Sequence, residues 1–355
     1  MERYAKQISL DTIGINGQKT LCNSSVLVIG AGGLGCPALH YLAGIGIGRI
    51  GIMDADIVSL DNLHRQILYA ENDIGKSKVT AAKEHLNKLN SSIDVIPHNY
   101  FLSMDNAKSI IEKYDLVLDC TDQITARYLI NDTCVLLGKT FIYGALHHYE
   151  GQISVFNYKN SGTYRCLFPE NPYNLNITTC NDGGVMPAIA GIIGVMQANE
   201  AIKVLLNLKD ILSNTLLVLD SRNYSIRKLN YTRKAISVSK KLKSEQESVQ
   251  MKSDKVETQT NISIDKNELS FDHILLDIRS SDEVIDFPLP NSIAIDPVEV
   301  EDYILNLKTK KNTVLICNNG SRSLYLTKIL RTKGIPNVQS LEQGIKHYEY
   351  PTTVI

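Results

Sequence analysis

The sequence predicts an α/β protein with two domains, the first built on a mostly parallel sheet and the second a smaller α/β unit. The 355 residues are 43% hydrophobic, which is enough for about two domains of ordinary size. Between residues 26 and 146, apolar β-branched runs alternate with helical patterns, as in successive βαβ units with helices on both faces of the sheet. A polar, charged stretch then separates this region from a second α/β pattern.

The elements of the first domain follow one another at regular intervals. The candidate strands are SVLVIG (25–30), GRIGIMDAD (48–56), SIDVIPH (92–98), DLVLDCTD (115–122) and TFIYGA (140–145). A β-rich tail at 151–158, a long helix over about 185–206 and a strand pair within 214–231 complete the pattern. The predicted boundaries are therefore 1–234 for the first domain, 235–261 for a flexible linker and 262–355 for the second domain.

Composition and charge exclude several classes of function. A net charge of −1 provides no broad basic field, so a nucleic-acid partner is not expected. The N-terminus lacks the layout of a signal peptide, and the most apolar stretch, VMPAIAGIIGVMQA (185–198), is too short to span a bilayer. Seven scattered cysteines do not resemble a disulfide framework. We expect a cytoplasmic protein with reduced thiols and no membrane partner.

A glycine loop follows the first strand and precedes a helix. Gly30, Gly32 and Gly35 form G-x-G-x-x-G, a pattern that lets the backbone approach a phosphate at a helix N-terminus. Asp54 ends the next strand and could hold ribose hydroxyls. Taken alone, these residues fit an NAD-dependent dehydrogenase, and a tight turn without any ligand also stays open.

The segment after Asp54 favours a triphosphate over a nicotinamide ring. Arg65 can donate two parallel hydrogen bonds to two phosphate oxygens, and Lys78 supplies a mobile point charge. Asn62 and Gln66 lie nearby in sequence. Asp122 comes at the end of a later strand, where open α/β sheets bind ligands, and a carboxylate among phosphates is a natural magnesium ligand. The alternatives are a solvated helix face for the two cations and a helix N-cap for Asp122.

Six motifs in order carry a family resemblance over about residues 1–232. RYAKQISL, VLVIGAGGLGCP, DADIVSLDNLHRQ, GKSKV, DCTDQ and EGQISVF together resemble the MoeB/ThiF branch of the ubiquitin-activating-type enzymes. The resemblance implies a Rossmann-like sheet and a homodimer that uses ATP to adenylylate the C-terminal glycine of a ubiquitin-like sulfur carrier. By motif position, the ATP contacts would be Gly30, Gly32, Gly33, Asp54, Asp61, Asn62, Leu63, His64, Arg65, Lys78, Asp122 and Gln123. Arg65 and Lys78 would hold phosphates, and Asp122 the magnesium ion.

Two departures from the family pattern concern ATP and zinc. Lys6 stands where most relatives have an arginine that reaches ATP from the partner subunit; lysine keeps the charge but loses the fork. Relatives also carry two C-x-x-C pairs that bind structural zinc. Here the first is reduced to Thr163 and Cys166, and no second pair follows Ser221. A tetrahedral thiolate site needs four ligands, so we predict no zinc.

The cysteines divide into one candidate nucleophile and several structural thiols in this domain. Cys180 lies in the polar stretch NITTCNDGG ahead of the long helix, where a thiol can be exposed and activated. In the family, a cysteine at this position forms a transient covalent link with the carrier. A semi-buried structural residue is the alternative. The remaining thiols in apolar contexts, expected to be inert, are Cys22, Cys36, Cys120 and Cys134.

The second domain presents one cysteine between a strand and a helix. In CNNGSRS (317–323), Gly320 allows the chain to curl so that backbone N–H groups point at Cys317, and Arg322 adds positive charge. The motif resembles the rhodanese active loop C-x-x-G-x-R, and LLDIRSSDEV with LPNSIAI resembles the start of that domain, so the match covers about 262–355. A purely structural cysteine is the alternative.

Together the two resemblances imply one reaction sequence. A sulfur donor such as a cysteine desulfurase would load Cys317 as a persulfide, and the sulfur would pass to the adenylylated carrier for molybdopterin or thiamine biosynthesis. Three alternatives stay open at this point: an NAD-dependent oxidoreductase, a binding module that has lost catalysis, and an enzyme that adenylylates another peptide in natural-product biosynthesis.

Overall fold

The computed structural model describes two compact units of the chain. The described residues are 2–169 and 184–234 in the N-terminal unit and 262–345 in the C-terminal unit. Within the last range, positions 266, 267, 271, 272, 280, 298, 308–311, 319, 333 and 343 are left out. The predicted linker 235–261 lies outside the described residues.

An eight-stranded sheet forms the centre of the N-terminal unit. Its strands are β1 (Ser25–Ile29), β2 (Arg49–Met53), β3 (Asp94–His98), β4 (Leu116–Asp119), β5 (Thr140–His147), β6 (Glu150–Phe156), β7 (Thr215–Asp220) and β8 (Ser225–Asn230). They lie in the order β3-β2-β1-β4-β5-β6-β7-β8. The first five strands in this order are parallel and the last three pair antiparallel. The predicted mostly parallel α/β sheet is confirmed.

Helices cover both faces of this sheet. They are α1 (Ala5–Ile8), α2 (Gly14–Asn23), α3 (Gly35–Ile45), α4 (Lys78–Leu89), α5 (Met104–Ile111), α6 (Ile124–Leu136), α7 (Tyr164–Leu167) and α8 (Pro187–Leu205). Because side chains alternate along a strand, Val26 and Val28 face a core formed with α3, α4 and α8, whereas Leu27 and Ile29 face a second core with α5 and α6. The result is a three-layer unit.

Helix α8 is the predicted long helix, and one of its faces packs into the core. Among the described residues it is the one helix long and apolar enough to cross a membrane by length and composition. It packs against α3 and against β5 and β6, and Ile189 and Ile193 are fully buried. These contacts are those of a core helix.

The C-terminal unit is built on a five-stranded parallel sheet. Its strands are β9 (Ser263–Ile264), β10 (Ile274–Asp277), β11 (Ser292–Ala294), β12 (Thr313–Ile316) and β13 (Val338–Leu341), in the order β11-β10-β12-β13-β9. The helices are α9 (Ser281–Asp286), α10 (Val300–Asn306) and α11 (Ser321–Thr332). One core lies on each face of the sheet. The predicted second α/β domain is confirmed.

The strand order of the N-terminal sheet reverses at β1. The chain passes from β1 to β2 and β3 on one side and then crosses to β4 on the other side. In open α/β sheets, this arrangement leaves a crevice at the carboxyl ends of the two strands that flank the crossing point. The glycine loop after β1 and the segment after β4 both lie there.

We expect Gly35→Ala to destabilise the protein by about 2 kcal/mol or more, since a Cβ at Gly35 would lie 2.0 Å from the backbone oxygen of Gly30. Urea unfolding of the full chain followed by circular dichroism measures the effect. Gly44→Ala in the same helix is the control, because a Cβ there meets nothing within 4 Å. It should stabilise the protein by about 0.5–1 kcal/mol, and equal effects of the two variants would contradict the packing described.

Candidate functional site

The candidate nucleotide site begins where the glycine loop meets the end of β4. Gly30 has φ +97°, and a Cβ there would lie 2.6 Å from the Cys120 carbonyl oxygen. Only glycine combines this conformation with so close an approach. The loop therefore rests on the segment that leads to Asp122.

Asp54 fixes the loop from the end of β2. Its carboxylate accepts hydrogen bonds from the Ala31 N–H at 2.8 Å and from the Asp56 N–H at 2.9 Å. The Tyr69 hydroxyl donates to the Ala31 carbonyl at 2.9 Å. Burial raises the pKa of Asp54, and the positive charge of Lys78 opposes this shift. Each carboxylate oxygen of Asp54 thus already accepts a hydrogen bond from a backbone N–H group. Ribose hydroxyls would have to donate to the lone pairs that remain.

Arg65 lies beside the glycine loop. A Cβ on Gly33 would be 3.7–3.8 Å from the Arg65 side chain. The guanidinium donates to Asn62 Oδ1 at 2.9 Å and to the Asp61 carbonyl at 3.2 Å. Leu63 is half-buried and His64 is exposed. The fold thus brings the predicted residues 61–65 together with Gly33.

Lys78 starts α4 and is paired with a carboxylate. Its side chain is 6% exposed, and its Nζ lies 2.8 Å from Asp56 Oδ2. Asp56 is itself anchored through its N–H to Asp54. The lysine predicted to hold a phosphate is therefore paired with a carboxylate of its own chain in this structure.

The turn ahead of Lys78 is held by a buried carboxylate that the sequence did not single out. Asp73 accepts hydrogen bonds from His85 at 2.6 Å, from the Ala70 N–H at 3.0 Å and from Lys76 at 3.0 Å. Burial acts to raise the pKa of Asp73, but these hydrogen bonds outweigh it and lower the pKa to about 2. The pair with His85 fastens this turn to α4.

Asp122 lies beyond the strand to which it was assigned. Strand β4 ends at Asp119, and Asp122 and Gln123 are exposed in the connection to α6. Gln123 occupies the N-cap position without a side-chain capping bond. The prediction that Asp122 ends the strand was wrong by three residues, since the backbone turns away from the sheet after Asp119.

Asp119 and Arg127 are polar residues at this strand end that sequence reasoning missed. Asp119 is fully buried, and its Oδ1 accepts from the Thr121 N–H at 3.0 Å and the Thr121 hydroxyl at 2.7 Å. Its Oδ2 has no hydrogen-bond partner. Burial raises the pKa of Asp119, against the influence of Arg127. Arg127 donates to the Thr121 carbonyl at 3.0 Å, so both residues shape the turn before Asp122.

Lys6 lies away from the glycine loop of its own chain. It is exposed on α1, and its neighbour Gln7 donates to the Ile45 carbonyl at 2.9 Å. Ile45 is the last residue of α3, whereas Gly35 at the loop is the first. An eleven-residue helix spans roughly 16 Å, so the fold does not bring Lys6 to the other predicted residues.

The cysteines predicted to be structural are mostly buried. Cys36, Cys120 and Cys134 are in the core and Cys22 is half-buried. Burial raises the pKa of Cys36 to about 12 and also raises those of Cys120 and Cys134. Cys180 lies outside the described residues.

The incomplete zinc motif, in which Thr163 replaces the first cysteine, forms a small hydrogen-bonded cluster. Thr163 Oγ1 lies 3.3 Å from Cys166 Sγ, and the Lys234 N–H donates to the same sulfur at 3.3 Å. Burial acts to raise the pKa of Cys166, but these hydrogen bonds and a nearby Arg233 lower it overall. No cluster of three metal-ligating side chains occurs within the described ranges. The expectation of no zinc stays a prediction.

Cys317 follows β12 and lies at the start of the predicted active loop. Its side chain is buried, with 0% exposed. The Ser323 N–H donates to its sulfur at 3.4 Å, and Gly320 takes φ +80°. The predicted curl is present, and a backbone N–H from the start of α11 points at the thiol.

Arg322 is tied to a glutamate of the neighbouring helix. Its Nη2 lies 2.6 Å from Glu283 Oε1, and Asn318 donates to the same oxygen. The Glu283 backbone carbonyl accepts from Arg279, whose guanidinium forms a fully buried ion pair with Asp277 at 2.6 Å. This D-x-R-x-x-x-E pattern belongs to the stretch that carries the rhodanese resemblance, and the fold brings its glutamate to Arg322 and Asn318.

A cavity of about 340 Å³ opens at the other, amino end of β1 and β2. It is lined by Cys22, Asn23, Ser24, Ser25, Gly48, Arg49 and Asp94. It contains none of the predicted site residues, and we assign it no role.

Comparison with known proteins supports both halves of the chain. Residues 4–239 match the ThiF family and residues 263–350 match the rhodanese-like domain. The adenylyltransferase and sulfurtransferase MOCS3 of Culex quinquefasciatus is 37% identical over 97% of this chain and 86% of its own length. The protein of that name from Aedes aegypti is 40% identical over 97% of this chain and 85% of its own length.

Solved structures resemble the larger part of the chain. The crystal structure of E. coli MccB with ATP has a TM-score of 0.58 and 24% identity, and covers 67% of this chain and 74% of that chain. The structure of E. coli MccB with AMPCPP and selenomethionine MccA has a TM-score of 0.57 and 25% identity, and covers 66% of this chain and 74% of that chain. With the relatives' names, these matches confirm the predicted architecture and the expected enzymatic class, adenylyl transfer joined to sulfur transfer.

We expect the Asp73 carboxylate to make stability depend on pH. Its folded-state pKa of about 2 lies below its unfolded value near 4, so the stabilisation is complete above about pH 4 and is lost as the pH falls towards 2. Asp73→Asn should therefore lower the free energy of unfolding by about 1–2 kcal/mol at pH 7. The gap between the two proteins in urea unfolding should narrow below pH 4. Asp105→Asn on exposed surface is the control, and a gap independent of pH would contradict the assignment.

Proposed function

This chain belongs to the ThiF family and carries a rhodanese-like domain, and on that premise we propose that it activates a ubiquitin-like sulfur carrier and then supplies it with sulfur. The carrier's C-terminal glycine is adenylylated, and the acyl-adenylate is converted into a thiocarboxylate for molybdopterin synthesis. The observation that carries the proposal is that one chain contains both features: a glycine loop beside Arg65 in the first unit, and Cys317 just before a helix in the second.

ATP is the proposed nucleotide, and the crevice after β1 and β4 offers the groups to hold it. The loop through Gly30, Gly32 and Gly33 leads into the N-terminus of α3, where backbone N–H groups would meet phosphate oxygens. Arg65 lies against Gly33 and supplies a fork of donors. Lys78 would exchange Asp56 for a phosphate oxygen, since both are anionic partners for the same ammonium group. The solved structure of E. coli MccB with ATP shares this fold.

Asp122 is the proposed ligand of a magnesium ion that accompanies ATP. Asp122 is exposed in the turn after β4. The buried Asp119 and Arg127 shape that turn through Thr121, so the carboxylate is carried on a fixed backbone. A hard oxygen ligand of this kind suits magnesium, which would neutralise phosphate charge.

The first reaction is a displacement at phosphorus. The carrier's C-terminal carboxylate oxygen attacks the α-phosphate of ATP, the new C–O–P bond forms, and pyrophosphate leaves with the electron pair of the broken P–O bond. Arg65 and Lys78 balance the negative charge that pyrophosphate carries away. Positioning and charge neutralisation are the main contributions that such a step requires from the protein.

The proposed enzyme is a homodimer in which Lys6 serves the neighbouring site. Within its own chain, Lys6 sits at the far end of α3 from the glycine loop. A lysine at this position therefore has a role in ATP binding only if a second subunit presents it. We place the protein in the cytoplasm, where its cysteines stay reduced.

The second reaction moves sulfur through Cys317. The Cys317 thiolate attacks the terminal sulfur of a donor persulfide R–S–SH, an S–S bond forms, and R–S⁻ leaves. A cysteine desulfurase is the proposed donor. The persulfide sulfur then attacks the acyl-adenylate carbon and AMP leaves. We propose that the Cys180 thiolate attacks the Cys317 sulfur of the resulting acyl disulfide, so that a Cys180–Cys317 disulfide forms and the carrier thiocarboxylate leaves with the electron pair of the broken S–S bond. An external thiol reductant then restores both cysteines.

The rhodanese-like domain decides against the alternative functions. An NAD-dependent oxidoreductase or a module that only binds would have no use for a sulfur-carrying domain. An enzyme that adenylylates another peptide would not need one either. Relatives that match over 97% of this chain, and so include this domain, are named adenylyltransferase and sulfurtransferase.

Asp122→Ala is expected to lower ATP–pyrophosphate exchange by at least about a hundredfold, because the proposed magnesium ligand is lost while an exposed residue contributes little to the core. Exchange is measured with radiolabelled pyrophosphate and the carrier. Asp105→Ala removes an exposed carboxylate elsewhere and should leave the rate within about twofold. Near wild-type exchange in a folded Asp122→Ala protein would sink the assignment.

Cys317→Ala is expected to separate the two reactions. Pyrophosphate exchange should stay close to wild type, because all proposed ATP contacts lie in the N-terminal unit. Persulfide formation and carrier thiocarboxylate should disappear unless free sulfide is supplied, as mass spectrometry will show.

Two further variants complete this test. Cys22→Ala serves as the control and should leave both reactions unchanged. Cys180→Ala should keep the Cys317 persulfide but slow sulfur transfer to the carrier. Normal thiocarboxylate formation by Cys317→Ala from a protein donor would show that the rhodanese-like domain is not the carrier of sulfur.

A further inference from the structure

The reacting thiol of the C-terminal unit lies in the interior. Cys317 has 0% of its surface exposed and packs in the core between β10, β13 and α11. A thiolate there has no shell of water, so hydrogen-bond donors from the protein must replace it. Ser323 provides two groups at the right distance, its N–H at 3.4 Å and its Oγ at 3.3 Å from Cys317 Sγ.

The Ser323 hydroxyl has other partners behind the thiol. It lies 3.1 Å from the Gly320 carbonyl, to which it donates, and 2.8 Å from Ser340 Oγ. Ser340 Oγ is in turn 3.5 Å from the Gly320 carbonyl. Ser323 and Ser340 are buried, with 0% and 1% exposed. A hydroxyl has one hydrogen and rotates freely, so Ser323 can serve either the Gly320 carbonyl or the sulfur.

We propose that Ser323 and Ser340 form a hydroxyl pair that switches its hydrogen bonds when Cys317 loses its proton. In the thiol state, the S–H donates to Ser323 Oγ and the Ser323 hydroxyl donates to the Gly320 carbonyl. In the thiolate state, the Ser323 hydroxyl turns to the sulfur, and the Ser340 hydroxyl takes over the Gly320 carbonyl. The proton leaves to solvent or to the departing R–S⁻ of the donor.

The switch makes Ser323 and Ser340 positioning residues for the proposed sulfurtransferase, and the inference rests on that function. The pair gives the thiolate a donor without opening the core to water. The Gly320 carbonyl also accepts from the Leu324 N–H at 3.0 Å, and the switch keeps a hydroxyl donor beside that bond in both states. The two serines are 17 residues apart in the chain. Strand β13 and helix α11 bring them together.

The charged groups near the thiol are unchanged by hydroxyl substitutions, although Arg322 lies next to Ser323 on the same helix. Arg322 on α11 pairs with Glu283 on α9. Asp277 and Arg279 at the end of β10 form their own buried pair. Asp302 on α10 and Glu342 after β13 are exposed. A change of pH profile in serine variants therefore reports the hydroxyls.

The test is the rate of alkylation of Cys317 by iodoacetamide in the full chain, followed by mass spectrometry of the Cys317 peptide between pH 5 and 10. For Ser323→Ala, we expect about a tenfold lower rate at pH 7. At high pH, where the thiolate forms in any case, the rate should lie within about twofold of wild type. Ser340→Ala should change the profile in the same direction by a smaller factor.

Two controls separate the switch from general damage to the core. Thr327→Val removes a hydroxyl on the same helix that is buried and has no hydrogen-bond partner, and its profile should match wild type. Ser323→Thr keeps a hydroxyl and should react faster at pH 7 than Ser323→Ala. A Ser323→Ala profile equal to wild type, or one lowered equally at every pH, would overturn the inference.

The outcome is distinguishable from failure of the proposed function. Incubation of the wild-type protein with a persulfide donor shows by mass whether Cys317 gains a sulfur atom. If it gains none while the serine variants shift the alkylation profile as expected, the hydroxyl pair stands and the sulfurtransferase proposal fails. If it gains sulfur while the profiles coincide, the pair is wrong and the function stands.

Discussion

The close approach of two strand ends is the constraint on which the N-terminal site depends. The backbone at Gly30 lies against the Cys120 carbonyl, at a distance that excludes any Cβ. This contact exists because β1 lies between β2 and β4, so that the chain reverses its direction of travel across the sheet at this point. The crevice that results exposes loop backbone on one side and the turn bearing Asp122 on the other.

A second theme is that cations of both units already have internal anionic partners. Lys78 is paired with Asp56, and Arg322 with Glu283. The backbone of each acidic residue is held by a further hydrogen bond. The Asp56 N–H donates to the Asp54 carboxylate, and the Glu283 carbonyl accepts from the Arg279 guanidinium. An anionic ligand that binds either cation must therefore displace the carboxylate. When no ligand is bound, the same carboxylate keeps the partly buried cation paired.

Buried polar groups at the ends of parallel strands connect fold and chemistry in the same way. Asp119 at the end of β4 and Asp277 at the end of β10 are both fully buried, yet they differ in their partners. Asp277 is satisfied by Arg279, whereas one oxygen of Asp119 has no hydrogen bond. The first fixes the backbone over the rhodanese-like loop, and the second lies under the turn proposed to hold magnesium. In both cases a buried carboxyl group shapes the backbone next to a proposed site.

The sequence by itself determined the properties that depend on neighbours along the chain. Apolar periodicity located β1 to β5 and the long helix, and glycine spacing located the loop after β1, because these patterns reflect local geometry. Motif order predicted both domains. The strand end at Asp119 was missed, since a continuous apolar run does not say where pairing stops. Only the tertiary structure decided which distant groups meet: Asp73 with His85, Arg322 with Glu283 and Ser323 with Ser340. The physical reason is that these contacts depend on sheet order and helix packing, which no spacing along the chain encodes.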